Sequence, residues 1–210
     1  MEETRQPSVN CQKLSDREQN ITLIDRLSSL PDEVICHILS FLPTKRSVTT
    51  SVLGRRWRFL WAHVPSVNFS GCDFYFREEG TEALDIIHRF VLQQKAKNRM
   101  DTLTLCDLRC NEYQLETWIT IAIDCSIRNL YLELKFNTIP RSNFISKTIV
   151  DLKLDIRRVS LSAMDNVSLP SLKKLHVSNV VCENDDALPH FLSNCPSRGV
   201  DYGIQICGER

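Results

Sequence analysis

Residues 30–61 read LPDEVICHILSFLPTKRSVTTSVLGRRWRFLW, and this stretch decides how the first part of the chain folds. Pro31 suits the start of a helix, where a missing N–H costs no hydrogen bond, and Asp32 follows at the positive end of the helix dipole. Pro43 and Gly54 each interrupt the helical pattern. The stretch therefore predicts three short helices. A unit below about 40 residues buries too little apolar surface to stand alone, so the excess apolar surface points to a partner.

The apolar residues of this stretch recur at helical spacing. In the first helix they are Val34, Ile35, Ile38, Leu39 and Leu42. Thr44 is placed to cap the second helix. That helix is expected to bury Val48, Val52 and Leu53, and the third presents Trp57, Leu60 and Trp61 on one face. The pattern alone leaves open whether these faces pack on the rest of the chain or on another protein.

The order of these residues is similar to the plant F-box family almost throughout. The matching segments are 30–34, 38–45, 50–53 and 56–61. The resemblance implies a helical module that docks on the Skp-type adaptor of a cullin-based ubiquitin ligase, and through it joins the cullin and RING subunits. The implied adaptor contacts are Leu30, Pro31, Ile38, Leu39, Leu42, Val48, Val52 and Trp57. One departure is Gly54, where relatives more often carry Ser as a helix cap, a difference of only a few tenths of a kcal/mol.

The charge and hydropathy of the chain exclude several classes of partner. The 26 basic and 26 acidic residues cancel, so no overall field draws the chain to nucleic acid or to anionic lipid. Arg55, Arg56 and Arg58 form the densest basic spot, which a solvated helix face explains. There is no apolar run of about 18 residues, as a membrane helix requires, and the polar start is not a secretory signal. We expect the nucleus, the cytoplasm or both.

The cysteines and histidines predict neither a metal site nor catalysis. The nine cysteines are odd in number and irregularly spaced, which favours reduced thiols. Cys106 and Cys110 have no second pair or His-x-x-x-His nearby to complete a zinc site. The five histidines lie in unrelated contexts, and no phosphate-binding loop or nucleophile elbow is present. We expect no cofactor, and a non-catalytic subunit that holds a substrate while others pass ubiquitin.

A connector follows the helical stretch. Residues 64–69 predict a turn that enters a short strand. An amphipathic helix ending around residues 95–99 is predicted from Ala83, Leu84, Ile87, Phe90 and Val91.

Beyond residue 99 the chain repeats a short template, apolar-x-x-Leu-x-apolar. It occurs four times, at 100–105, 127–132, 149–154 and 172–177, with spacings typical of leucine-rich repeats. Each copy predicts a short strand with inward leucines at period two, stacked on its neighbours. An outer helix between the first two strands is predicted from Leu115, Trp118, Ile119, Ala122 and Ile123.

This region resembles the leucine-rich part of plant F-box/LRR-repeat proteins. The matching stretches are 118–119, 127–134, 150–154, 168–177 and 191–196. Together with the first stretch, the resemblance covers most of residues 24–197. It implies an α/β chain in which a three-helix F-box precedes an irregular leucine-rich-repeat solenoid of about four strands.

The residues that alternate with the leucines are expected on the concave face, where such proteins bind their partners. They are Thr102, Thr104, Cys106, Asn129, Tyr131, Glu133, Asp151, Lys153, Asp155, Lys174, His176 and Ser178. We expect contacts with a protein substrate chiefly at Tyr131, Glu133, Lys153, Asp155 and His176. Tyr131 is the aromatic anchor, because Trp, Tyr and Arg dominate interface energies. The alternative is that any one of them is simply a solvated strand residue.

The last residues depart from the repeat pattern. The template is absent from 197–210, and the two glycines within 197–206 disfavour a strand, so we expect an atypical and poorly ordered tail. The predicted organisation is a disordered tail 1–23, an F-box 24–61, a connector 62–98, repeats 99–196 and the tail 197–210. Two functions stay open. One is the substrate-recognition subunit of an SCF-type ligase, and the other is a truncated form that binds the adaptor without delivering a substrate.

Overall fold

The computed structural model describes residues 26–74, 80–97, 100–138, 144–160, 167–181, 189, 192–193, 195 and 201–206. The predicted N-terminal tail 1–23 therefore lies outside the described residues. The helices are α1 (Asp32–Ser40), α2 (Thr44–Thr49), α3 (Gly80–Lys97) and α4 (Glu112–Asp124), with 3₁₀ turns at Thr50–Leu53, Trp57–His63 and Gly71–Phe74. The strands are β1 (Ser66–Ser70), β2 (Thr102–Cys106), β3 (Asn129–Thr138), β4 (Phe144–Ile145), β5 (Asp151–Ser160), β6 (Val167–Ser168), β7 (Lys174–Val181) and β8 (Asp201–Ile206).

Residues 26–64 form a small helical unit. Pro31 and Pro43 stand at the N-caps of α1 and α2, both with extended ψ angles. Pro31 thus lies at the start of a helix, as the sequence predicts, and Pro43 separates α1 from α2. The third predicted helix is present as the 3₁₀ turn Trp57–His63. A separate cluster of apolar side chains holds the unit together. Its buried members are Ile35, Leu39, Trp57, Leu60 and Val64, and Leu30 and Cys36 pack against it.

Two local predictions for this unit are wrong. Val52 and Leu53, expected in its core, are 84% and 63% exposed. The buried cluster is built from α1 and the turn Trp57–His63, so the intervening turn Thr50–Leu53 contributes no buried residue. Thr44 does not cap α2, because Pro43 occupies the cap position and no side-chain cap hydrogen bond forms. Its hydroxyl instead accepts a hydrogen bond from the Asn68 N–H of β1 at 2.8 Å.

The rest of the chain is built on a parallel six-stranded sheet in the order β1-β2-β3-β5-β7-β8. The leucines of the repeat template lie in register across it, Leu103 beside Leu130, then Leu152 and Leu175. In β2, β3 and β5 they alternate with half-buried residues, as the period of two predicts, and in β7 they alternate with exposed Lys174 and His176. The first apolar residue of each template copy is also buried. These residues are Met100, Ile127, Ile149 and Leu172.

Among the described residues, a backbone ladder links six strands, of which four carry the predicted leucine template. The Pro65 carbonyl accepts hydrogen bonds from the N–H groups of Asp101 and Thr102. The same pattern recurs from strand to strand, with the acceptors Asp101, Arg128, Val150 and Lys173. The two strands without the template are β1 and β8.

β8 corrects the prediction for the C-terminal tail. Residues 201–206 form a strand that pairs in parallel with β7, although the leucine template is missing. Backbone groups make the strand pairing, so it does not require leucine itself. Tyr202 and Ile204 lie beside Leu175 and Val177; Ile204 packs against the core, whereas Tyr202 is 39% exposed.

The helices α3 and α4 form an outer layer on the apolar face of the sheet. The predicted residues Ile87 and Val91 of α3, and Leu115, Trp118, Ile119 and Ala122 of α4, are all buried. Asn111 and Gln114 form a reciprocal capping box at the start of α4. A further two-stranded parallel sheet, β4-β6, lies outside the main sheet. Among the described residues, no helix combines the length and hydropathy needed to cross a membrane.

Candidate protein-interaction surfaces

The helical unit exposes an unusual amount of apolar surface for its size. Its apolar surface consists of Leu27, Val34, Ile38, Phe41, Leu42, Val52, Leu53 and Phe59, each more than one third exposed. On α1 the apolar residues divide into two stripes. Ile35 and Leu39 point into the buried cluster, while Val34 and Ile38 share an exposed face one turn apart. Exposed apolar residues concentrated on one small unit are typical of a protein-interaction site.

The structure places the predicted adaptor contacts in two groups. Pro31, Ile38, Leu42 and Val52 are exposed, and Leu30 and Val48 are half-buried. Leu39 and Trp57 are only 1% and 5% exposed. These two side chains hold the helices together, and direct contact with a partner would require the helices to move. For the exposed residues, adaptor contact stays a prediction.

Polar contacts fix the buried tryptophan and the start of the unit. The indole N–H of Trp57 donates to the Ser28 hydroxyl at 2.8 Å. Arg56 pairs with Asp32 of α1 at 2.5 Å and also donates to the Ser28 carbonyl. Arg56 therefore joins the turn at residues 26–30 to α1. The predicted basic spot is accordingly not a uniform solvated face, since one of its three arginines has a structural role.

The predicted adaptor contacts leave out five members of the apolar surface, which are Leu27, Val34, Phe41, Leu53 and Phe59. Phe41 lies three residues after Ile38 and directly before Leu42, so helical spacing could have found it. It is 75% exposed, and its ring meets that of His37 edge-on at 4.9 Å. Phe59 gave no such signal, because it lies between buried Trp57 and Leu60 in a 3₁₀ turn.

A second candidate surface is the polar face of the six-stranded sheet, called here the repeat face. The strand register arranges it in three rows. The first row is Ser66, Thr102, Asn129, Asp151, Lys174 and Asp201. The second is Asn68, Thr104, Tyr131, Lys153, His176 and Gly203. The third is Ser70, Cys106, Glu133, Asp155, Ser178 and Gln205.

The five residues predicted to contact substrate lie close together on this face. Tyr131, Lys153 and His176 are consecutive in the second row, and Glu133 and Asp155 are neighbours in the third. The predicted alternation is therefore confirmed. Ser178 differs from the other predicted residues because it is buried, with its hydroxyl 3.0 Å from Nε2 of His176.

Tyr131 is held in a fixed position at the centre of the repeat face. Its hydroxyl donates to Oδ2 of Asp151 at 3.0 Å, across to the next strand. Partial burial and this carboxylate raise the pKa of Tyr131 to about 12. The phenol is therefore neutral at physiological pH and presents a rigid ring. A ring that is already ordered loses little entropy on binding.

The charges beside Tyr131 form a local network. Lys153 donates to Glu133, which lowers the pKa of Glu133 and raises that of Lys153. Cys106 donates to the same carboxylate at 3.5 Å. Partial burial, followed by the hydrogen bond to Glu133, raises the pKa of Cys106 to about 11. Cys106 is thus a thiol at neutral pH and a poor nucleophile.

The last repeats shape the other end of the face. A Cβ atom on Gly203 would lie 2.5 Å from Nδ1 of His176, so the glycine leaves room for the imidazole ring. Asn179 has a positive φ of 61° and donates to Asp155 at 2.8 Å. In the part of the chain that the structure describes, no group of three or more His, Cys, Asp or Glu residues could hold a metal ion.

The two surfaces and the fold define a class of protein, one that joins a helical docking module to a leucine-rich-repeat sheet. Comparison with known families agrees. Residues 27–68 match the F-box domain, and residues 171–196 match the Leucine Rich Repeat family. The chain is similar to plant F-box/LRR-repeat proteins, as its resemblance predicted, and the F-box match covers nearly all of the helical unit, which is called the F-box below.

Similar proteins come from Arabidopsis thaliana. F-box/LRR-repeat protein At3g59200 is 34% identical over 185 residues, which are 82% of this chain and 35% of that protein. Putative F-box/FBD/LRR-repeat protein At4g13965 is 33% identical over 88% of this chain and 43% of its own length. FBD-associated F-box protein At4g10400 is 36% identical over 82% and 43%. The chain thus spans roughly two fifths of these relatives or less. No solved structure matches it.

Proposed function

We propose that this chain is a substrate-recognition subunit of an SCF-type ubiquitin ligase, with the F-box docking on a Skp-type adaptor. The observation that carries the proposal is the apolar surface of the F-box. A unit of this size that leaves eight large apolar side chains exposed gains stability by burying them against another protein. The F-box match and the F-box relatives support the same partner.

The repeat face is the proposed substrate site. It offers a rigid aromatic anchor, Tyr131, surrounded by charged side chains that can hydrogen-bond a polypeptide. The chain itself holds the target, and the cullin and RING subunits recruited through the adaptor supply the transfer of ubiquitin. We place this action in the nucleus, the cytoplasm or both, where free thiols such as Cys72 and Cys125 stay reduced.

The alternative, a form that binds the adaptor without presenting a substrate because its repeats are short, stays open. Strand β8 supports the substrate-recognition function, because it adds one residue to each of the three rows of the repeat face.

The docking proposal is tested by measuring the affinity of the full chain for a purified Skp-type adaptor. The double variant Ile38→Ala/Val52→Ala removes two exposed side chains, and we expect at least a tenfold loss of affinity with an unchanged thermal midpoint. Each side chain buried on binding contributes about 1.5–3 kcal/mol, and about 1.4 kcal/mol is a factor of ten.

Two controls make this measurement decisive. Tyr113→Ala removes an aromatic ring that is 74% exposed on α4, outside the F-box, and is expected to leave adaptor affinity unchanged. Leu39→Ala empties the F-box core and is expected to lower stability by about 2–5 kcal/mol. Equal adaptor affinity of the wild type and the folded double variant would refute the proposed docking surface.

The substrate proposal needs its own experiment. Proteins that accumulate when the chain is removed from cells, and that return to normal when the wild type is restored, are its candidate targets. We expect Tyr131→Ala to bind the adaptor normally but to fail in this restoration. Full restoration by Tyr131→Ala would rule out Tyr131 as the anchor.

A further inference from the structure

The junction between the F-box and the repeat sheet has almost no linker. Val64 is buried in the F-box cluster, and the carbonyl of the next residue, Pro65, already accepts the first hydrogen bonds of the repeat ladder. β1 then forms the first edge of the sheet, with β2 on one side. An edge strand carries N–H and C=O groups that need a partner or a cover on its other side.

Helix α2 of the F-box covers this edge. Thr44 is 3% exposed, and its Oγ1 accepts the Asn68 N–H of β1 at 2.8 Å. Ser47 lies one turn further along α2 and is equally buried. A buried hydroxyl on the side of a short helix is costly unless it serves as a hydrogen-bond partner. Within the described part of the chain the Ser47 hydroxyl has no such partner, whereas that of Thr44 accepts from β1 in place of a neighbouring strand.

Other contacts bind the same two parts together. The ring of Trp61 in the F-box packs on Phe90 of α3 at 5.6 Å, and Phe90 meets Phe69 of β1 edge-on at 5.4 Å. Lys97, at the end of α3, donates to the Ala62 carbonyl at 3.3 Å. Lys45 of α2 donates to the Asp73 carbonyl beyond β1.

We propose that Thr44 is a positioning residue that closes the free edge of β1, so that the F-box serves as the N-terminal cap of the repeat stack. Stacks of repeats need such caps, because an end repeat has a neighbour on one side only. The cap fixes the apolar surface of the F-box relative to the repeat face. This role goes beyond adaptor docking, and it holds whether or not an adaptor binds.

The test compares amide hydrogen exchange in the full-length chain for three variants. Thr44→Val keeps the shape but removes the acceptor, Thr44→Ser keeps the hydroxyl, and Thr49→Val changes an exposed position on the same helix. We expect the Asn68 amide to exchange at least tenfold faster in Thr44→Val. It should stay within threefold of the wild type in the other two. Thr44→Ala replaces Thr44→Val if the valine prevents folding.

A second measurement separates a cap from a purely local hydrogen bond. Leu60→Val weakens the F-box core, and in a coupled molecule it speeds exchange in β1 and β2 as well. We expect Leu60→Val to speed exchange in β1 and β2 in the wild-type and Thr44→Ser backgrounds. In the Thr44→Val background we expect this acceleration of exchange to be at least threefold smaller. The proposal is overturned if Leu60→Val speeds exchange in β1 and β2 equally in all three backgrounds. It is also overturned if the exchange rate of the Asn68 amide is unchanged in Thr44→Val.

Discussion

At the scale of single residues, the position of a side chain in the fold determines its role more than its residue type does. Ile38 and Leu39 are adjacent apolar residues on α1, yet one is 40% exposed and the other 1%. Helical spacing predicts that both belong to an apolar face. It does not say which part of that face meets the chain's own core, because this depends on where Trp57 and Leu60 pack.

Ser126 offers a test of backbone strain. It has a φ of 59° after the end of α4, where its N–H donates to Ile123 and the next N–H, of Ile127, donates to Ala122. This is the Schellman arrangement, in which glycine is favoured because it has no Cβ. We expect Ser126→Gly to raise the free energy of unfolding by about 0.5–1 kcal/mol in urea titrations. A loss of stability would contradict the assigned φ.

Cys106 offers a test of the charge network on the repeat face. Partial burial and, after it, the Glu133 carboxylate raise the pKa of this thiol, so Glu133→Gln should lower the pKa and increase the thiolate fraction. We expect Cys106 to react several-fold faster with iodoacetamide at pH 8 in Glu133→Gln than in the wild type. Exposed Cys72 in the same sample is the internal control and should not change. Slower labelling of Cys106 in the variant would contradict the assigned hydrogen bond.

At the scale of elements, close approaches of the backbone decide which turns can form. A Cβ on Gly71 would lie 2.1 Å from the backbone oxygen of Asp107, which itself has a positive φ of 49°. At Gly54 the nearest atom to such a Cβ is Cδ1 of Trp57 at 3.7 Å, an ordinary contact. The two glycines look alike in the sequence but not in the fold.

We therefore expect Gly71→Ala to destabilise the chain by about 1–3 kcal/mol, because backbone rather than a flexible side chain must move. Gly54→Ser, the residue that relatives more often carry, should change stability by no more than a few tenths of a kcal/mol. Thermal unfolding of both variants under one buffer condition gives the comparison. Equal midpoints for the two variants would refute the close approach at Gly71.

At the scale of the whole molecule, the F-box and the repeats form one continuous structure. The repeat ladder begins at Pro65, one residue after the F-box cluster ends, and it continues to Asp201. β8 is the least expected part of this array, since its sequence lacks the leucine template. Its pairing with β7 shows that the repeat is propagated by the backbone as well as by leucines.

Hydrogen exchange across residues 201–206 checks this view of the molecule. We expect the β8 amides that pair with β7 to exchange at least tenfold more slowly than in an unstructured peptide of the same sequence, because opening them requires the strand to detach. The exposed turn at residues 26–30 is a reference within the same chain. Exchange in β8 at the rate of the free peptide would contradict the sixth strand.

The sequence by itself determined the F-box class, the four leucine strands, the outer helix α4 and the alternation that places Tyr131 and Lys153 on the repeat face. These features depend on local periodicity and short motifs, which tertiary contacts did not override. The tertiary structure alone decided that Thr44 pairs with Asn68, that Val52 is exposed, that Gly203 makes room for His176, and that β1 and β8 complete the sheet. Each depends on which segments meet in space, and a hydroxyl, a glycine or a strand without leucine carries no sequence signal of its distant partner.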